Sequence, residues 1–170
     1  MSLVNWPRKT MLLNALIFWP AVFLGGYVLW GKSAAMFWAY TAIWVGIIVL
    51  GRYFVCRRCK YYGTDCPTFG FSHIVRVFRK DESKGFTWQG CMIDMAAHLL
   101  ALFIPIFAWI FGAFNVVVSE YGTVDHALMG VYIVLTLSMM AVHNATGCSK
   151  CDIAECRASK AAKERKSKAQ

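Results

Sequence analysis

Acidic side chains are scarce in this sequence, with 9 Asp and Glu against 18 Lys and Arg in 170 residues. Charge of either sign makes up only 16% of the chain. No carboxylate lies in the middle of an apolar run, so the acidic relay of a proton- or cation-driven transporter is missing. No serine, histidine and aspartate stand in a recognisable nucleophile setting, which argues against a Ser–His–Asp hydrolase. The apolar runs show no alternation of polar and apolar residues, so they are not strands of a membrane barrel. No small-x-small cleavage pattern follows the first run, which is also longer than a signal-peptide core; it reads as a retained helix. The net charge of +9 comes with no nucleic-acid motif, so nucleic acid is not an expected partner. There is no GxxxG and no clear internal repeat; Gly25, Gly26 and Gly112 are isolated candidates for close helix approach.

Long apolar runs are abundant instead. Hydrophobic residues make up 58% of the chain. Four runs are nearly free of charge over the roughly 17–25 residues needed to cross a bilayer. They predict helices over about 11–31, 34–55, 91–118 and 127–147. A soluble domain of this length has too little interior to bury all four. The predicted fold is an all-α integral membrane four-helix bundle, treated as one domain over 1–170. If the helices alternate in direction, every Lys and Arg except Lys32 falls on one face. The positive-inside rule then predicts a plasma or inner membrane protein with both termini and the 56–90 loop in the cytoplasm. Trp6, Trp30, Trp38 and Trp88 fit an interfacial belt. In "FGFSHIVRVFRK", Phe71, Ile74, Val75 and Phe78 recur at helical spacing, predicting an interfacial amphipathic helix over about 69–80. A basic tail, 157–170, follows the last helix; its charge would attract anionic lipid, but it reads first as a solvated tail that enforces topology.

Two cysteine triplets stand where the chain leaves the second and fourth runs. "CRRCKYYGTDC" carries Cys56, Cys59 and Cys66, and "CSKCDIAEC" carries Cys148, Cys151 and Cys156. The topology puts both on one face, and a reducing cytosol disfavours disulfides there. A C-x2-C turn aims two thiolates at one ion, and two such turns complete a tetrahedral shell. The expected site is therefore a shared metal centre, with zinc first and an iron–sulfur cluster as the alternative. His73 and His143 are possible additional ligands, one beside each triplet, if the triplets form separate sites. Cys91 lies outside both triplets and reads as a small apolar residue.

Ionisable groups inside membrane helices are functional candidates by default. Asp94 and His98 are four residues apart on one helical face, and His143 sits near the end of the fourth run. Together they outline a possible haem b or quinone site. Asp125 suits the cap of the fourth helix. The sequence thus predicts a non-enzymatic membrane scaffold, anchor or assembly subunit with a cytoplasmic cysteine-rich subdomain, formed by the 56–90 loop and the tail, that docks a protein partner. A redox subunit carrying electrons is the alternative, and a handler of soft ions a third reading.

Overall fold

A computed structural model of the chain describes residues 4–83, 85–113, 123–151, 153 and 167. Four long helices dominate it: α1 (Arg8–Trp30), α2 (Ala34–Phe54), α4 (Trp88–Ala113) and α5 (Thr123–His143), with a short helical turn, α3 (Phe71–Ile74), between the second and third of them. No strand is present among the described residues. All four long helices are long and apolar enough to cross a membrane, with mean hydropathies from 1.6 to 2.0 over their most apolar stretches. The predicted runs and the observed helices agree to within a few residues, except that the expected continuation of α4 to 118 lies outside the described residues. So do Cys156 and the tail from 154 onward, apart from Ser167.

Helix α1 is the central element and packs against α2, α4 and α5. Its buried residues, Met11, Asn14, Phe18, Ala21, Val22, Gly25, Val28 and Leu29 among them, advance by three and four, the spacing of one helical face. The opposite side carries Leu12, Leu16, Phe23 and Tyr27, all exposed and ready for lipid. At Gly25 a side chain would meet Tyr40 Oη, Tyr132 and Pro105 Cγ at 2.8–3.0 Å. The glycine therefore lets all four helices converge at one level. Pro105 leaves the carbonyl of Ala101 without its helical donor; at the next carbonyl, Tyr132 Oη donates to Leu102 O at 2.6 Å.

The two ends of the bundle are identified by their contacts. Lys32, in the turn after α1, pairs with Asp125 in the first turn of α5 at 2.7 Å. Trp109 Nε1 donates to His126 Nδ1 at 3.0 Å at the same end. The aspartate expected at the cap thus lies within the first turn of α5, where it is an ion-pair partner. At the other end, the backbone N–H of Val4 donates to Tyr61 Oη, Ser72 Oγ contacts Met11 Sδ, and Arg52 of α2 pairs with Asp94 of α4. Both C-x2-C segments lie at this end.

Segment 56–83 differs from its prediction. Instead of one amphipathic helix over 69–80, helical structure runs only through α3 and a 3-10 turn, Val75–Val77. Phe69 (φ 56) and Gly70 (φ 83) precede it in the left-handed region, which stops a helix from starting earlier. The apolar set of the pattern is also divided. Phe71 and Val75 are buried in the bundle, Phe78 is half-buried and Ile74 is exposed. Trp6 is likewise buried, edge-on to Tyr61 at 4.7 Å, rather than lying at an open interface. Asp81 fastens the end of the segment by accepting from Arg57 and Arg58, each at 3.2 Å.

Candidate functional site

The end of the bundle that carries the cysteines encloses a cavity of about 530 Å³. Its wall includes Cys56, Cys59 and Cys66 from the first triplet and Cys148 and Cys151 from the second. Cys91, at the start of α4, lines it as well. The described cysteines are all thiols, each half-buried. Local geometry repeats in the two segments. The N–H of Cys59 donates to Cys56 O at 3.1 Å, and that of Cys151 to Cys148 O at 3.3 Å. Each C-x2-C pair is therefore closed by its own turn. The N–H of Tyr61 adds a bond to Cys59 Sγ at 3.5 Å, the kind of contact that favours a thiolate.

The second turn is reached through a π-helical stretch, Asn144–Cys148, at the end of α5. Such widened turns occur preferentially at functional sites. A polar cluster pins it to α1. Asn14 Nδ2 donates to Thr10 O at 2.8 Å and to Thr146 Oγ1 at 3.0 Å, while its Oδ1 faces His143 Nδ1 at 3.2 Å. Because Oδ1 is an acceptor, Nδ1 of His143 is the donor. Thr146 in turn donates to Val142 O.

The deeper half of the cavity is aromatic and carries one ion pair. Phe18 stacks on Phe69 at 4.4 Å and stands edge-on to Phe71 at 5.4 Å. Phe69 also lies 4.7 Å from the His143 ring. Arg52, only 2% exposed, reaches Asp94 Oδ2 at 3.0 Å and covers the Phe71 ring at 4.7 Å. His98 Nδ1 donates to Asp94 O at 2.7 Å. Asp94 has room because the neighbouring residue on α2 is Gly51, whose Cβ would collide with the carboxylate.

The sequence-predicted residues are distributed as follows. Cys56, Cys59, Cys66, Cys148, Cys151, Asp94, His98 and His143 meet around this one cavity. Cys156 lies outside the described residues. His73 does not join the cavity wall; its Nε2 faces Asp65 Oδ1 at 3.1 Å. Among the described residues, which leave out Cys156, no three His, Cys, Asp or Glu stand close enough to hold one metal ion. Of the predicted subdomain, the described part of the loop packs on the bundle, and the tail, Ser167 apart, lies outside the described residues. Sequence reasoning passed over Arg52 and Asn14, and read Cys91, which lines the cavity, as a small apolar residue. Arg52 stands four residues before Cys56, a helical spacing that could have signalled it.

Burial pushes the Cys59 thiol up from 9.0 to about 12, and the nearby Cys56 and Cys151 thiols add to the rise against the Tyr61 N–H. Burial likewise takes Cys66 to about 12, reinforced by Cys59. These two thiols are thus proton-bearing at neutral pH, and the mutual influence of Cys59 and Cys151 reflects the approach of the two segments. No protein-family model, curated protein or solved structure matches the chain.

Proposed function

We propose that the chain is a membrane-bound redox subunit whose two cysteine segments jointly hold an iron–sulfur cluster in the thiol cavity. The observation that carries this reading is the convergence of Cys56, Cys59, Cys66, Cys148 and Cys151 on one space. Four thiolates on a single zinc, each at about 2.3 Å, draw their sulfurs into mutual contact. The described donors are not gathered that tightly. A cluster brings its own core of iron and sulfide and takes thiolates around its outside, which suits sulfurs spread over a cavity wall. Cys56, Cys59, Cys148 and Cys151 are the proposed ligands, with Cys66 and Cys91 as further thiols on the same wall. The excess of basic residues at this end favours a cytoplasmic orientation, where thiols stay reduced, and a protein partner there would exchange electrons with the cluster.

A zinc clamp is the second reading, supported by the two matching C-x2-C turns. In that case the chain is a scaffold whose metal ties α2 to α5. Anaerobic purification followed by a visible spectrum and elemental analysis separates the two. The redox reading requires a brown protein with iron and acid-labile sulfide, bleached by dithionite. A colourless protein with stoichiometric zinc establishes the clamp, and a protein with neither metal contradicts both.

Proton release gives an independent check. In the folded protein without metal, Cys59 and Cys66 hold their protons up to about 12. Their folded values exceed the unfolded one. Their contribution to stability is therefore complete below pH 9.0 and is lost as pH climbs from there toward about 12. Metal must displace the protons of whichever thiols it uses. Reconstitution in weak buffer should therefore release about one proton per ligating cysteine and proceed more tightly at pH 8 than at pH 6, by roughly tenfold or more per unit. Uptake without proton release, read with an indicator dye, would count against thiol ligation.

A further inference from the structure

We propose a second binding site in the same cavity, independent of any metal: a corner built by Arg52, Asp94 and His98 that takes the carbonyl of a quinone-type ring. Arg52 is 2% exposed and lines the cavity, yet its Nε and Nη1 have no hydrogen-bond partner. Its remaining nitrogen, Nη2, is engaged by Asp94. Buried donors without acceptors are costly, so a native structure that retains them calls for an acceptor at that place.

The chemistry of the corner narrows the ligand. Asp94 already balances the Arg52 charge, and a further anion would put net negative charge into a low-dielectric interior. A neutral acceptor oxygen satisfies the N–H groups without that cost. The walls select a flat, apolar body: Phe71 lies beneath the guanidinium at 4.7 Å, and Phe18 and Phe69, stacked on each other at 4.4 Å, stand beside Phe71. His98 contributes the opposite polarity. Its Nδ1 proton is committed to Asp94 O at 2.7 Å, which leaves Nε2 as the acceptor of the ring. A donor from Arg52 and an acceptor from His98 match the carbonyl and hydroxyl forms of a quinone ring. A fatty-acid carboxylate matches only the first.

The test uses the full chain in detergent with 2,3-dimethyl-1,4-naphthoquinone, which is substituted at both reactive ring carbons so that thiols do not add to it. Of the seven tryptophans, Trp44, edge-on to His98 at 5.6 Å, and Trp19, edge-on to Phe71 at 5.7 Å, are placed to report binding through fluorescence quenching. Saturable quenching at one quinone per chain is expected. 2,3-Dimethylnaphthalene, the same ring without the oxygens, should compete at least tenfold more weakly. Arg52→Lys keeps the charge opposite Asp94 but loses the forked donors, and should weaken binding by roughly tenfold. Quenching that never saturates, equal competition by the hydrocarbon, or an unchanged affinity in a folded R52K protein overturns the proposal. So does displacement by decanoate at lower concentration than by the hydrocarbon, which would make the corner a carboxylate site. The comparison of the two rings needs only the wild-type protein and decides the matter if R52K does not fold.

Discussion

Replacing Asp94 by alanine should destabilise the bundle by about 3–5 kcal/mol, because it strands the Arg52 charge inside the protein. Arg52 is 2% exposed and Asp94 is its ion-pair partner at 3.0 Å. The cost is that of an uncompensated buried charge, which far exceeds that of breaking an ion pair in water. D94N keeps an acceptor oxygen beside the guanidinium and should lose less. The double replacement R52M/D94L removes both charges and should recover most of the stability, since well-packed apolar groups often substitute for a buried pair without loss. Thermal unfolding in detergent, followed by circular dichroism, should show a midpoint lowered by roughly 10 °C for D94A. A D94A protein as stable as wild type would mean that the pair is hydrated rather than buried.

The second large effect concerns the thiols. Cys59→Ser and Cys151→Ser should each abolish most of the bound metal, and the double variant should lose scarcely more than either single one. Both residues would belong to one shell, and a shell broken at one ligand has little left to lose at another. Stability should follow the same rule, with the combined loss well below the sum. Metal content per chain and the unfolding midpoint measure it. Losses that simply add, or retention of half the metal in each single variant, would assign the segments to separate centres.

The helices were legible in the sequence because an uncharged run of about twenty residues has few alternatives to a membrane span. The faces of those helices were not. In α1 the exposed Leu16 and the buried Phe18 are both apolar, and a bilayer removes the polar contrast that marks the outside of a soluble helix. The meeting of the cysteine segments at one end followed from counting spans. Their arrangement around a cavity did not, because spacing within C-x2-C fixes one turn and says nothing of the distance to the other. His73 was linked to the first triplet by nearness in sequence, but the left-handed residues before α3 and the burial of Phe71 leave it beside Asp65. Arg52 read as one more flanking cation, and only the tertiary structure reveals it as buried between Asp94 and Phe71.

The common entrance of both triplets into one cavity can be tested without metal. In a chain whose only cysteines are Cys59 and Cys151, dibromobimane becomes fluorescent only when its two arms alkylate both sulfurs. Intramolecular fluorescence when the folded protein is treated, and little or none when the protein is unfolded in SDS before the reagent is added, is the predicted result. A chain retaining only Cys56 and Cys59 that reacts, beside a Cys59–Cys151 chain that stays dark, would contradict the account.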